Sequence, residues 1–159
     1  MKLKSAVMAA MMVVCGAAMQ AQVTVKHIQT EKGAIASAVW AGDTLYVSGT
    51  GPTAVAAADK EKGTPAVWGD MHAQANSVFT KIQKILQEQG LDMKDVVKMT
   101  VFMAPDPTTG KIDFAAMNAE FVKFFGTKDQ PNKPARSTIQ VGLVGQAQIE
   151  VEAIAVKGK

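Results

Sequence analysis

Two amphipathic helical stripes, set among short strands, constrain the fold of this chain more than any other feature. The first stripe lies between Asp70, a typical N-cap residue, and Gly90, a typical left-handed stop. The second stripe begins at Asp113. Their apolar members recur at three- and four-residue steps: Met71, Ala75, Val78, Ile82, Ile85 and Leu86, then Phe114, Met117, Phe121, Phe124 and Phe125. We therefore expect one helix from Asp70 to about Gln89 and a second one after Asp113.

The remaining segments predict strands, because apolar and polar residues alternate in them or because they are short, apolar and β-branched. The turn Ala41–Thr44 predicts a hairpin, and Leu143–Gln146 is a short connection. Gly49–Gly69 is rich in Gly, Pro and Ala and predicts a long loop, with one short strand near Ala66–Trp68. The predicted strands are Val23–Ile28, Ser37–Trp40, Leu45–Ser48, Val96–Met103, Arg136–Val141 and Ile149–Val156.

This order of elements favours an α+β two-layer sandwich. Two helices can cover only one face of a sheet of this size. The other face must then meet water or another subunit, and its small apolar residues favour a subunit. A mixed β-sheet with both helices on one face is the expected architecture.

The first residues have the pattern of a secretory signal peptide. Lys2 and Lys4 supply a positive start, and Ala6–Ala18 is an uncharged apolar stretch. The stretch is shorter than the 20 or so residues that a transmembrane helix needs. Small residues follow, so we expect cleavage after Ala21, with Ala18 as the second choice. Residues 1–21 are thus predicted to be a leader, and the protein to be periplasmic or secreted.

A lipoprotein attached through Cys15 is a weaker alternative, because Val14 is bulky where a small residue is expected before the cysteine. Residues 22–159 would form a single domain without cysteine, held together by packing and subunit association. The loss of two leader lysines leaves 15 basic against 14 acidic side chains. A balance this close to neutral does not suggest nucleic-acid binding, and no membrane association is expected after cleavage.

Arg136 is the sharpest compositional signal in the chain. It is the one arginine beside sixteen lysines, and it lies in Pro134–Ser137 at the start of a predicted strand. A planar guanidinium grips a carboxylate with two parallel hydrogen bonds, which lysine cannot imitate. An ordinary surface ion pair is the competing interpretation. Because the chain uses lysine at its other basic positions, we give the carboxylate-binding role the same weight as a surface ion pair.

Several segments together resemble the RidA (YjgF) family in order and spacing, over nearly the whole chain after the leader. Ser48-Gly49 and the helix end at Ile85-Leu86 and Gly90 fit the same pattern. The segments that carry the resemblance most specifically are Asp95–Phe102, Asp113–Asn118, Phe124-Phe125, Pro134–Ser137 and Ile149–Ala155.

The resemblance implies a chorismate-mutase-like α+β sandwich assembled as a homotrimer, with ligand clefts between subunits. It implies hydrolytic deamination of small 2-enamino or 2-imino acids to 2-keto acids and ammonia, without a cofactor. Arg136 resembles the family arginine that binds the substrate carboxylate, Asn118 the cleft asparagine, and Ser48 with Gly49 the pocket loop. Glu150 resembles the carboxylate that positions the hydrolytic water.

Three positions depart from the family pattern. Ile35 stands where the deaminases carry a tyrosine, Thr138 where they carry a cysteine, and Thr50 where they carry a glutamine. The connection between Arg136 and Glu150 is also one residue short. Ile35 and Thr138 would therefore line a rebuilt pocket. They keep two alternatives open: a non-catalytic trimer that binds a small carboxylate metabolite, and a trimer whose surface serves a protein partner.

Other motifs predict structure and not chemistry. Gly49–Ala54 matches the dinucleotide fingerprint G-x-G-x-x-A, but no helical period follows it before Gly63. His27 and His72 have no companion at metal-ligand spacing, so no metal is expected. Ser48 has no histidine partner in sequence reach, and an acyl-transfer triad cannot be argued.

Overall fold

A computed structural model describes residues 22–158. The predicted leader, with its cleavage site and Cys15, lies outside the described residues. The described part contains six strands and two helices, with a 3₁₀ turn at Met93–Asp95. Their bounds are β1 Val25–Ile28, β2 Ala38–Ala41, β3 Thr44–Thr50, α1 Met71–Glu88, β4 Val96–Met103, α2 Phe114–Phe124, β5 Ala135–Gln140 and β6 Ile149–Val156.

The six strands form one mixed sheet in the order β1-β2-β3-β6-β4-β5. Only the β4–β5 pair is parallel, and the four other pairs are antiparallel. The connection between the parallel strands contains α2, as a crossover between parallel strands requires. Both helices pack on one side of the sheet around the hydrophobic core. The predicted α+β two-layer sandwich is confirmed.

Helix α1 begins and ends as its sequence predicts. The Asp70 side chain accepts a hydrogen bond from the Ala73 backbone N–H at 2.8 Å. Gly90 follows the helix with φ of 76°, a left-handed conformation that few other residues adopt without strain. Asp113 caps α2 in the same way through the Ala116 N–H. Phe114 corrects the prediction for the second stripe, because it is 45% exposed at the first position of α2 and is not part of the buried core.

Element boundaries differ from the predictions by one or two residues. β1 begins at Val25 and not at Val23, and β5 runs one residue ahead of the predicted span. The β2–β3 turn is only Gly42-Asp43, because β2 continues through Ala41 and β3 already begins at Thr44. The short strand near Val67 is reduced to an isolated bridge with Ala56. A second isolated bridge pairs Asp59 with Thr64 in the same loop.

The sheet presents one face to the helices, and nothing among residues 22–158 covers the other. On β4, Met99, Val101 and Met103 are fully buried beneath the helices. The residues between them point to the opposite side, where Lys98 donates a hydrogen bond to the Ser137 hydroxyl at 2.9 Å. A shallow cavity of about 330 Å³ opens on this side and is lined in part by Tyr46 and Glu152. We call this the open face.

No helix within residues 22–158 has the length and the apolar composition that crossing a membrane requires.

Candidate active site

The single arginine is held in a fixed orientation by helix α2. Its Nη2 donates a hydrogen bond to Asn118 Oδ1 at 2.9 Å. Its guanidinium carbon lies 4.1 Å from the centroid of the Phe121 ring, and the Phe114 ring centroid is 5.8 Å away. Both contacts are within the range of cation–π attraction. We call Arg136, Asn118 and Phe121 the arginine half-site.

The positions of these three side chains follow from local structure. Arg136 lies opposite Met99 in the parallel β4–β5 ladder, so its side chain points to the helix side of the sheet. Asn118 and Phe121 are three residues apart in α2 and therefore share a face of that helix. The second strand of the parallel pair and the crossover helix thus meet at the edge of the sheet.

Arg136 retains binding capacity after these contacts. Its Nη1 is buried and has no hydrogen-bond partner among the described residues. Burial lowers the pKa of Arg136 from its ordinary value, but an arginine side chain keeps its charge at any pH of interest. A charged, oriented donor without an acceptor is costly to bury. An anionic ligand that reaches it would remove this cost.

A second group of predicted residues meets on the open face. The register between β3 and β6 contains one extra residue on β3, because Val47 pairs with Ala153 and Thr50 pairs with Val151. This bulge takes up Ser48 and Gly49. The carboxylate of Glu150 lies directly against Gly49, where any Cβ would collide with Glu150 Oε1. The glycine allows this close approach, and a larger residue here would push the Glu150 side chain out of its position.

Ser48 links this group to the segment before β2. Its hydroxyl donates a hydrogen bond to the Ala36 carbonyl at 2.7 Å, and its N–H donates to the Ser37 carbonyl at 3.0 Å. Ile35, next to Ala36, is 70% exposed. We call Ser48, Gly49 and Glu150 the glutamate half-site, and Ile35 lies in the segment adjoining it.

The two half-sites are on opposite sides of the sheet within one chain. Arg136 pairs with Met99, and Met99 pairs with Ala153, so these three residues form one row across the sheet. Ala153 is buried beneath the helices, and the row therefore faces the helix side. Glu150 pairs with Phe102 three rows away, and both alternate with buried residues, so Glu150 points to the open face. Arg136 and Glu150 are two strands apart across the sheet and three residues apart along the strands, which is about 10 Å in each direction. Arg136 and Glu150 of the same chain therefore do not converge.

The departures from the family pattern fall in both groups. Thr138 is two residues after Arg136 on β5, so it faces the same side as the arginine and is half-buried. Thr50 is 8% exposed, and its hydroxyl donates to the Ser48 carbonyl at 2.9 Å, which stabilises the bulge. The structure thus gives Thr50 a structural contact and leaves Thr138 beside the arginine half-site.

The glycine-rich motif after β3 and His27 have the structural roles predicted for them. Gly49–Ala54 leads out of β3 into a loop, and the next helix begins only at Met71, so a dinucleotide fingerprint is excluded. His27 is exposed on β1. Within residues 22–158, no group of three or more His, Cys, Asp or Glu side chains could hold a metal ion.

Two features were missed by sequence reasoning. Phe121 was predicted as core alone, yet it is also the surface on which the guanidinium lies. His72 was predicted as a helix-surface residue, and it is 54% exposed, but its Nδ1 lies 2.9 Å from Glu120 Oε1 of α2. A helical stripe identifies neither contact, because each depends on how α2 packs against another element.

Comparisons with known proteins identify the family of the chain. Residues 24–157 match the family described as Endoribonuclease L-PSP. A RutC family protein of Haemophilus influenzae is 37% identical over 136 residues, covering 82% of this chain and 95% of that protein. The 2-iminobutanoate/2-iminopropanoate deaminase of Salmonella typhimurium is 39% identical over 95 residues, or 59% of this chain and 70% of the deaminase.

The fold also matches a solved structure. The crystal structure of Escherichia coli TdcF with bound serine has a TM-score of 0.64 and 29% sequence identity, and the match covers 84% of this chain and 99% of that one. The match over residues 24–157 and the shared two-layer fold place the chain in the Endoribonuclease L-PSP family, also called the RidA or YjgF family.

Proposed function

We propose that this protein hydrolyses small 2-enamino or 2-imino acids to 2-keto acids and ammonia, without a cofactor. The observation that carries the proposal is the arginine half-site, in which Asn118 and Phe121 orient a guanidinium whose Nη1 has no partner among the described residues. Such a group is suited to a small carboxylate.

Two relatives support this substrate class. The Salmonella typhimurium protein is named for imino acids, which carry a carboxylate beside the reacting carbon. Serine, the molecule bound to TdcF, also carries a carboxylate. In this chain Arg136 would hold that carboxylate, while Asn118 accepts a hydrogen bond from one nitrogen of the guanidinium and so fixes its orientation. The half-buried Thr138 would contribute to the wall beside it.

The chemistry then requires a positioned water molecule. An enamine tautomerises to the imine, water adds to the imine carbon, and the resulting carbinolamine loses ammonia to give the ketone. No electrons are exchanged with an outside partner. Glu150 would accept a proton from the attacking water and return it to the leaving nitrogen, with Ser48 and Gly49 shaping the surface beside it.

The separation of the half-sites within one chain requires a second subunit. Because Arg136 and Glu150 are on opposite sides of the sheet, we propose a homotrimer in which the arginine half-site of one subunit meets the glutamate half-site of the next. The open face, with Tyr46 and Ile154 among its residues, would be buried between subunits. The cleft would then be complete only in the assembly.

Hydrolysis of imines formed in situ tests the proposal. An amino-acid oxidase would generate 2-imino acids in the presence of semicarbazide, and hydrolysis would lower the semicarbazone signal. We expect wild-type protein to lower it and Arg136→Lys to lose roughly 100-fold in kcat/KM, because lysine cannot form the paired hydrogen bonds. Lys84→Arg, in an exposed pair on α1, is the control for a simple change of cation. Equal rates for wild type and Arg136→Lys would exclude the mechanism.

A non-catalytic carboxylate-binding trimer is the second candidate. Ile35 and Thr138 favour it, because neither supplies the phenol or thiol that family deaminases carry at these positions. Both candidates predict that 2-oxobutanoate stabilises the protein through Arg136. Binding that depends on Arg136 without turnover of any imino acid would favour the second candidate over the first.

We also propose that the protein is exported and that residues 1–21 are removed, on the pattern of Lys2, Lys4 and the apolar stretch that follows. Mass spectrometry of the protein from its native host tests this. A mature chain beginning at Gln22 is expected, and an intact Met1 in the cytoplasmic fraction would contradict it. A lipid attached at Cys15 would favour the lipoprotein alternative.

A further inference from the structure

A polar cluster, made of residues that belong to neither half-site, joins the two helices. Glu120 of α2 lies at its centre: Lys123 Nζ is 2.6 and 2.7 Å from its two carboxylate oxygens, and His72 Nδ1 is 2.9 Å from Oε1. Asn76 Nδ2 donates to Oε2 at 3.1 Å. The Glu120 side chain is only 5% exposed, whereas Lys123 and His72 are each more than half exposed.

A carboxylate with so little exposure to solvent must be satisfied by several donors to be stable as an anion. Lys123, His72 and Asn76 provide them, and the Lys123 hydrogen bond contributes most to lowering the pKa of Glu120 to about 2. Two of the donors belong to α1 and one to α2. The cluster therefore links the helices by directional contacts.

The apolar contacts between the helices do not restrict their relative rotation in the same way. Phe79 of α1 packs against Phe121 at 5.9 Å and Phe124 at 5.6 Å between ring centroids. Aromatic packing of this kind tolerates small rotations and shifts. Hydrogen bonds to a buried carboxylate fix rotation and register more strictly, because a displaced donor leaves a charged group unsatisfied.

The arginine half-site depends on the rotation of the same helix. Asn118 and Phe121, which orient Arg136, are two residues before and one residue after Glu120. We propose that Glu120 is a positioning residue: its contacts with His72 and Asn76 hold α2 at the rotation that presents Asn118 and Phe121 to the guanidinium. The role in ligand binding rests on the proposed function, whereas the effect on Arg136 itself does not.

The single arginine allows a ligand-free test by NMR. The wild-type chain contains one guanidinium, so its Nε–Hε signal is unambiguous. Because the guanidinium carbon lies 4.1 Å from the Phe121 ring centre, this signal is sensitive to the ring current. We expect Glu120→Gln to move this signal by more than its linewidth. Glu88→Gln is the matched control, because Glu88 faces Lys84 in an exposed pair on α1 at 3.9 Å and should leave the signal in place.

The second arm measures affinity for 2-oxobutanoate by calorimetry. Glu120→Gln should weaken binding at least about fivefold, Glu88→Gln should not, and the loss should largely vanish in an Arg136→Lys background. A purely structural role would lower the free energy of unfolding without this coupling. If Glu120→Gln does not fold, the same two measurements are made on His72→Gln, which removes one of the donors to Glu120.

The outcomes separate the two proposals. An unmoved arginine signal would overturn the positioning role of Glu120, and a moved signal with unchanged affinity would overturn its role in ligand binding. Wild-type protein without affinity for 2-oxobutanoate would overturn the proposed function, and the NMR arm alone would then decide whether Glu120 controls the orientation of Arg136.

Discussion

The arginine half-site and the glutamate half-site are built by different means. Arg136 is oriented by side chains of a neighbouring helix, through one hydrogen bond and one aromatic face. Glu150 is placed by the backbone, through a bulge in β3 that brings Gly49 against its carboxylate. The first arrangement is complete within the chain, and the second opens onto an uncovered face. Under the proposed function, the arginine would bind the substrate carboxylate, and the glutamate would act on water where subunits meet.

The largest expected effect separates these roles. Glu150→Gln should lower kcat for imine hydrolysis by roughly 1,000-fold and leave the affinity for 2-oxobutanoate within about twofold, because the amide cannot take a proton from water. Steady-state rates and calorimetry measure the two quantities. A tenfold loss of affinity with a preserved kcat would reverse the roles assigned to the half-sites. Glu88→Gln, in an exposed pair on α1 away from the open face, is the matched control.

Mixing two inactive variants tests whether the half-sites belong to different subunits. Equal amounts of Arg136→Lys and Glu150→Gln chains, unfolded and refolded together, should recover about a quarter of wild-type sites, since each site draws one residue from each of two adjacent subunits. The same variants refolded separately give the baseline. No recovery from a mixture shown by native mass spectrometry to contain hybrid trimers would place both residues in one subunit.

A smaller effect is expected from Asn118. Asn118→Ala removes the acceptor of Arg136 Nη2 and should raise KM about tenfold with little change in kcat, because binding and not proton transfer is affected. Asn76→Ala removes an amide on α1 that donates to Glu120. A comparable rise in KM for that variant would reflect the positioning role of Glu120. An Asn118→Ala variant with wild-type KM would show that Phe121 alone orients the guanidinium.

The smallest effect concerns stability at low pH. The pKa of Glu120 is lowered to about 2, mainly by Lys123, so the folded state stabilises the anion. Its contribution to the free energy of unfolding is present above the ordinary glutamate pKa near 4.5 and is lost as pH falls towards 2. Urea unfolding between pH 5 and 2 should therefore show a shallower pH dependence in Glu120→Gln than in Glu88→Gln. Parallel curves would exclude a stabilising role for the ionised Glu120.

Periodicity in the sequence determined the helices, the strands and the layer arrangement. The stripe after Asp70 and the cap at Gly90 define α1 because helical propensity, capping and stop signals are all local. The α+β class followed from counting two helices against six strands. Boundaries shifted by one or two residues, as at β1 and β5, because cross-strand pairing and not local pattern decides where a strand ends.

Composition and family resemblance also identified Arg136, Asn118, Ser48, Gly49 and Glu150 as the candidate site. Only the tertiary structure divided them into two groups. Which side of the sheet a strand residue faces depends on register, and the bulge at Ser48-Gly49 and the parallel β4–β5 pairing are invisible to a single segment. Likewise the contacts of Glu120 with His72 and Asn76 arise from packing between helices. The sequence alone determined which chemistry is available, and long-range packing decided where each group points.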